Sequence, residues 1–350
     1  MTAALDEIIL QPRPLAAAAD HLASHAAGTP EIRVPRPAWT MLVAALHRRA
    51  QRPLLVVAPT DEDARDISIE VAAFRGTRHV SLWPSRGVPS GGAVGASPHL
   101  VGLRAAALGQ VADPSRIVVA SVGALIERMS ATAATPLELR RGGQVTDDLI
   151  EQLVALGYER VPQVAERGEM AVRGGIVDVY PTTSDQPVRI DMFGDEIDDI
   201  RVFSPFTQVT IGTVPEVTIW PAVEPEGSMV DTTTLIGDAT VVRLAPTQFA
   251  AALKDAIAVA EDEAEAGVLG EPTELIDMLA RNARLDIAPP AGEASGVIDA
   301  REARFASRGS AEAQSELGRL SGGALRVVVC FPRRGDMERA ALQLPRVNPK

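Results

Sequence analysis

Along the first 130 residues the apolar positions switch between two periods. Residues 15–22 and 39–49 repeat at helical spacing, and the second stretch places Met41, Leu42, Ala45 and Leu46 on one face. Residues 54–58 and 117–120 are instead short, unbroken apolar runs, and 79–82 reads as a further short strand. Such a run is the signature of a strand buried on both faces. Thr60 stands where it can cap a following helix, with Asp61, Glu62 and Asp63 in the first turn, where the helix dipole favours acids. Residues 100–111 and 122–129 read as further helices, and 85–98 as a Gly/Pro/Ser loop. Strand alternating with helix predicts a parallel sheet covered by helices.

The pattern changes near Ala131. A helix is predicted over 147–156, then strands over 171–180, 188–193 and 197–203, with Gly194-Asp195 as a tight hairpin turn. This stretch reads as a small α+β unit. After Pro221 a polar linker is predicted over 224–238, followed by a strand at 240–244 and a helix at 248–265. Residues 288–310 read as loop, and then come a helix at 311–320, a strand at 325–331 and a helix at 336–344. The expected fold class is therefore α/β: a parallel-sheet domain interrupted by a small α+β insert. The expected divisions are 1–134 for the first part of the α/β domain, 135–221 for the insert and 222–350 for its second part. The last predicted helix lies almost at the final residue, which reads as a piece of something longer.

Composition narrows the chemistry. The chain has 350 residues, 46% hydrophobic and 23% charged, with a net charge of 34 − 46 = −12. No apolar run approaches the 18 or so residues that cross a bilayer, and the N-terminus does not read as a secretory signal, so no membrane partner and a cytoplasmic location are expected. An acidic surface is a poor match for a phosphate backbone. The single cysteine, Cys330, cannot build a thiolate metal site and falls in a predicted apolar strand. Only Lys254 and Lys350 are lysines. A phosphate-binding loop needs a lysine after its glycines, and none stands near the first strand–helix unit. Gly91-Gly92-Ala93-Val94-Gly95 reads as a plain loop. His21 and His25 are four apart but lack the glutamate of a zinc-protease helix. His47, His79 and His99 are isolated, and Glu261, Asp262, Glu263 and Glu265 read as a solvated helix end. No catalytic residues, cofactor or metal are predicted.

One segment resists a bland reading. In residues 188–193 strand alternation puts Val188, Ile190 and Met192 on one face and Arg189, Asp191 and Phe193 on the other. An aromatic beside an acid and an arginine is the composition of a binding hot spot. Arg173 sits similarly, between Val172 and Gly174. Alternatively, Phe193 turns into a second core layer and Arg189 pairs locally. Spacing leaves both readings open.

The ordered set Glu166-Arg167-Gly168-Glu169, Arg173 to Pro181, Arg189 to Ile197 and Arg201-Val202-Phe203 resembles the inserted domain of the UvrB-homology family, shared by UvrB and the transcription-repair coupling factor Mfd. Trp83-Pro84, Pro89, Pro98, Arg104 and Leu108 fall where that family has its proline-rich segment and the Arg and Leu that follow. The missing phosphate-loop lysine makes the chain look like the N-terminal UvrB-homology module of the coupling factors, a degenerate P-loop, helicase-like domain that has lost nucleotide binding, rather than the ATP-dependent UvrB. The resemblance implies an adaptor of transcription-coupled nucleotide excision repair that recruits UvrA and does not hydrolyse nucleotide. It implies UvrA contacts at Arg173, Arg189 and Phe193, supported by Gly174, Asp191 and Gly194. Full-length members are ATP-dependent translocases that displace stalled RNA polymerase. RNA polymerase, DNA and ATP are thus expected to engage only domains that this chain lacks, and without a covering C-terminal domain its UvrA surface is expected to be constitutively open. The alternatives are a UvrB-like ATPase that verifies damage and a generic α/β interaction scaffold.

Overall fold

The computed structural model describes residues 2–87, 96–130, 135–145, 148–224, 227, 229–262, 269–290 and 310–321. Residues 1–299 pack as one compact unit and 300–350 as another. In the second unit the described part is the helix Ser310–Ser321. The Gly91–Gly95 segment, Glu263 and Glu265, most of the 288–310 loop, the predicted strand with Cys330 and the predicted final helix lie outside the described residues.

Six parallel strands form the first sheet, in the order Glu31–Arg33, Ala283–Ala288, Thr240–Leu244, Leu54–Ala58, Ile117–Ser121, Val80–Trp83. The run Leu54–Ala58 is central and wholly buried, with Leu55 opposite Val241 on one side and Val118 on the other. Its alternation is hidden because both faces are apolar. Leu54, Val56 and Ala58 enter one core layer with Leu42, Leu46 and Ile67, while Leu55 and Val57 enter the other with Trp83, Leu125 and Leu279. Thr60 caps the helix Asp61–Arg75 by accepting from the Asp63 amide. Sheet strands thus come from both sides of the predicted insert, mixed with it in one compact unit.

Several predicted elements change. The linker over 224–238 contains a strand, Met229–Asp231, and a short helix, Thr232–Ile236. That strand pairs antiparallel with Arg128–Ser130, so the helix predicted over 122–129 stops at Ile126. The helix Pro272–Asn282 and the strand Ala283–Ala288 were not anticipated. The strand predicted over 171–180 is two strands, Glu169–Arg173 and Ile176–Val179, joined by a turn at Gly174-Gly175. Gly174 has φ +62°, where the missing side chain matters.

The insert holds a second sheet in the order Thr210–Thr213, Glu196–Phe203, Val188–Phe193, Ile176–Val179, Glu169–Arg173, Glu159–Arg160. One face buries Met170, Val177, Val179, Val188, Ile190, Ile197 and Ile200 against Leu149 and Leu153 of the helix Leu149–Ala155, and against Leu139 and Ile219 of a two-stranded ribbon.

The helix Pro98–Gln110 of the α/β part seats the insert. A Cβ on Gly102 would lie 2.0 Å from Thr182 Oγ1, and one on Gly109 would lie 2.8 Å from the Trp220 ring. The buried Tyr158 hydroxyl donates to Trp220 O at 2.9 Å and accepts from the Thr182 amide at 3.2 Å. Burial pushes its pKa up to about 12. His99 Nδ1 lies 2.6 Å from Thr182 O. On the same helix Arg104 is 1% exposed. It donates to Pro84 O at 2.9 Å and to Glu127 at 2.5 Å, and Glu127 also accepts from the Arg86 amide. Arg86 in turn pairs at 2.8 Å with Glu224, beyond the insert.

Candidate protein-binding surface

Away from its core, the insert sheet shows a second face, built by strand alternation. Register places Ala171 opposite Asp178, Arg189 opposite Asp178, and Asp191 opposite Ile176. Arg173 shares its side with Ala171, and Phe193 shares its side with Arg189 and Asp191. Arg173, Asp178, Arg189, Asp191 and Phe193 therefore lie on one face. A small apolar cluster of Val164, Ala171, Tyr180 and Phe203 packs on this side.

The charges on this face are mostly matched within the chain. Arg189 grips Asp178 with both arms, Nε to Oδ1 at 2.7 Å and Nη2 to Oδ2 at 2.8 Å. Asp178 is 2% exposed. The Arg189 guanidinium also lies 4.8 Å from the centre of the Phe203 ring. Its hydrogen bonds to Asp178 raise its pKa above the usual arginine value. Asp191 accepts from Arg201 Nη2 at 2.7 Å, a diagonal pair, since Arg201 stands directly opposite Arg189. The reading in which Arg189 pairs locally therefore describes this arginine.

Phe193 behaves differently. It is 83% exposed, at the end of its strand, and does not enter a second core layer. Its turn is held from behind. Gly194 has φ +63°, the Val145 amide donates to Asp195 O at 2.8 Å, and Gly142 donates to Ile197 O at 2.7 Å. Arg173 is exposed on the adjoining hairpin tip, with one arm donating to Pro162 O at 2.8 Å. The two tips touch, because the Met192 amide donates to Gly175 O at 2.7 Å. Arg173 and Phe193 thus share one end of the face. Arg189 lies four residues back, about 13 Å along the strand.

Two features were not anticipated. Asp178 is the partner that occupies Arg189, and its sequence signal is an acid between Val177 and Val179 in a strand. Phe206, 94% exposed, with Val209 and Ile211, forms a second apolar patch at the opposite end of the strand Glu196–Phe203. Three bulky apolar residues within a segment free of charge from 204 to 215 were a readable cue.

At the sheet's usual ligand end, the helix after Leu54–Ala58 opens on three acids. Asp61 accepts from Ser121 Oγ at 2.6 Å and from Ser85. No group of three or more His, Cys, Asp or Glu suited to a metal occurs among the described residues. No helix of the described residues is long and apolar enough to cross a membrane.

The insert combines a closed core with an aromatic-tipped outer face, and residues 137–224 match the UvrB interaction domain. The chain is similar to the transcription-repair-coupling factors of Mycobacterium tuberculosis, 36% identical over 210 residues, and Escherichia coli, 31% over 194. Those matches take in 57% and 53% of this chain and 17% of each relative. It is also 33% identical over 201 residues to UvrABC system protein B of Vibrio vulnificus, covering 52% of this chain and 30% of that protein. The chain thus spans about one sixth of the length of the coupling factors it matches.

Proposed function

We propose that this chain is a non-catalytic adaptor of transcription-coupled nucleotide excision repair that recruits UvrA through the hairpin tips of its insert. The observation that carries the reading is Phe193, exposed beside Arg173 on a braced surface inside the segment that matches the UvrB interaction domain. A large aromatic held rigid in water costs little entropy to bury and is a natural anchor. Arg173 offers a guanidinium that is exposed and not tied to any carboxylate among the described residues, suited to a carboxylate on the partner. Arg189 takes a different part. With its fork committed to Asp178, it stiffens the strand that presents Phe193.

Absence of nucleotide hydrolysis in this segment fits the same reading. A phosphate would meet Asp61, Glu62 and Asp63 at the helix end where it needs donors, with no lysine to offset them. Polymerase and DNA contacts, and the ATP-driven motor, are assigned to other segments of a longer protein.

The test is the affinity of the chain for purified UvrA, with thermal melts of each variant alongside. Phe193→Ala and Arg173→Ala should each weaken binding by about 1–4 kcal/mol and leave the melt unchanged. Arg189→Ala should also lower stability, by about 3 kcal/mol, because it strands Asp178 in the interior. A well-folded chain that does not bind UvrA, or binds it equally well after both tip substitutions, would overturn the proposal.

A further inference from the structure

A second site lies in the α/β part, at the ends where the parallel strands begin. A cavity of about 390 Å³ is lined there by His25, Thr233, Thr234, Gly237, Asp238, Arg281, Asn282 and Arg284. Its walls come from three separate stretches of chain. His25 ends the helix Arg13–Ser24 in a left-handed conformation, φ 54°. Thr233 and Thr234 belong to the short helix Thr232–Ile236, Arg281 and Asn282 end the helix Pro272–Asn282, and Arg284 opens the adjoining strand. Asn282 pins the 237–239 loop by donating to Gly237 O at 2.7 Å and Ala239 O at 3.1 Å.

What distinguishes the cavity is its unused hydrogen-bonding capacity. Among the described residues ten buried side-chain polar atoms lack a partner, and three of them belong to this cavity: His25 Nδ1, Thr233 Oγ1 and Arg284 Nε. A buried polar atom without a partner costs about 1–3 kcal/mol, so three such atoms on residues that line one space set this cavity apart. All three groups can donate a hydrogen bond. Arg281 adds a guanidinium with no ion pair among the described residues. Arg52 stands close enough to act on His25. The only acid in the lining is Asp238, which is exposed. In a chain of net charge −12, this is a local excess of positive charge.

We infer that this cavity binds a small phosphorylated molecule, its phosphate held by Arg281, Arg284, Thr233 and the His25 imidazole, and its hydroxyl groups by Asp238. Planar guanidinium forks with a hydroxyl and a ring N–H are a donor set that suits a phosphomonoester. Asp238, as an acceptor, suits the hydroxyls of an attached sugar and disfavours a bare polyanion. The volume lies within the range of small-molecule sites. Burial, then Arg284 and Arg52, lower the His25 pKa, so a bound phosphate should raise it again.

The test uses the full chain and NMR signals of its five histidines, with His25 assigned through His25→Gln. Inorganic phosphate and ribose 5-phosphate should shift the His25 ring signals saturably and raise its pKa, and ribose alone should not. Ribose 5-phosphate should bind tighter than phosphate. Arg281→Gln, an exposed position that should leave the melt unchanged, and Arg284→Gln should each weaken binding roughly tenfold, the loss of one charge-assisted contact. A 5′-phosphorylated single-stranded oligonucleotide is a separate arm. Binding by that strand alone, no saturable shift up to about 10 mM ribose 5-phosphate (an affinity below about 3 kcal/mol), or a shift preserved in both arginine variants would overturn the inference.

Discussion

Arg189 and Phe193 sit four residues apart on one strand face, yet they carry opposite kinds of information. One is tied by two hydrogen bonds to a buried acid, and the other is open to water. Composition alone could not separate them, because the deciding residue, Asp178, lies on the neighbouring strand. His47 shows the same dependence on a distant partner. It is fully buried and neutral, accepting at Nδ1 from Arg75 Nε at 3.0 Å, with Nε2 3.1 Å from Pro114 O. Burial first, and Arg75 next, bring its pKa from 6.5 down to about 4. The unfolded chain therefore binds a proton that the folded chain refuses. Its contribution to stability is complete above pH 6.5 and is lost as pH falls from 6.5 towards 4, by up to about 1.4 kcal/mol per pH unit and roughly 3 kcal/mol in all. Denaturant titrations of wild type and His47→Gln across that window should diverge by this slope. Parallel curves would show that His47 is not the group responsible.

Single elements explain what the sequence reveals and what it hides. The buried run at 54–58 and the alternation at 188–193 are legible because each strand meets a uniform environment on each face. The hairpin at Gly174-Gly175 is hidden because strand-like apolar residues, Ala171 and Val172 before it and Ile176 and Val177 after it, continue on both sides of the turn. The helix and strand over 272–288 escape notice because acids and arginines interrupt their apolar positions. The insert's hot-spot face is readable from one strand, but the phosphate cavity is not, since its donors sit at 25, 233, 281 and 284, with no local spacing to betray them. The helix Pro98–Gln110 carries its own hidden constraint. Alanine at 102 would normally favour a helix by about 1 kcal/mol. Here its Cβ would strike Thr182, so Gly102→Ala should instead destabilise by about 1–3 kcal/mol in urea denaturation. A stabilised variant would mean that the insert yields at this contact.

At the scale of the molecule, the stretches on either side of the insert are joined by charge as well as by packing. Arg104 holds Pro84 and Glu127, and Glu127 and Glu224 hold Arg86, so a ladder of ions links the chain before the insert to the chain after it. Burial raises the Glu127 pKa, with Arg104 acting against that rise. Arg104→Ala should therefore cost about 3–5 kcal/mol, because it leaves a buried carboxylate without its partner. Hydrogen exchange should then accelerate on both sides of the insert, at the Arg86 and Gly168 amides. Exchange confined to the α/β part would show that the insert is held without this brace.

The first sheet is also a matter of timing. Leu54–Ala58 has its neighbour Ile117–Ser121 early, but its other neighbour is Thr240–Leu244. At about 5–20 residues per second, the ribosome needs roughly 10–40 s to deliver that partner. In the interval the insert, whose sheet pairs strands mostly close in sequence, can close on itself first. A nascent chain thus carries a finished recognition module beside a half-built scaffold with one bare, apolar strand edge, and it is that edge, not the insert, that a chaperone would be needed to shield.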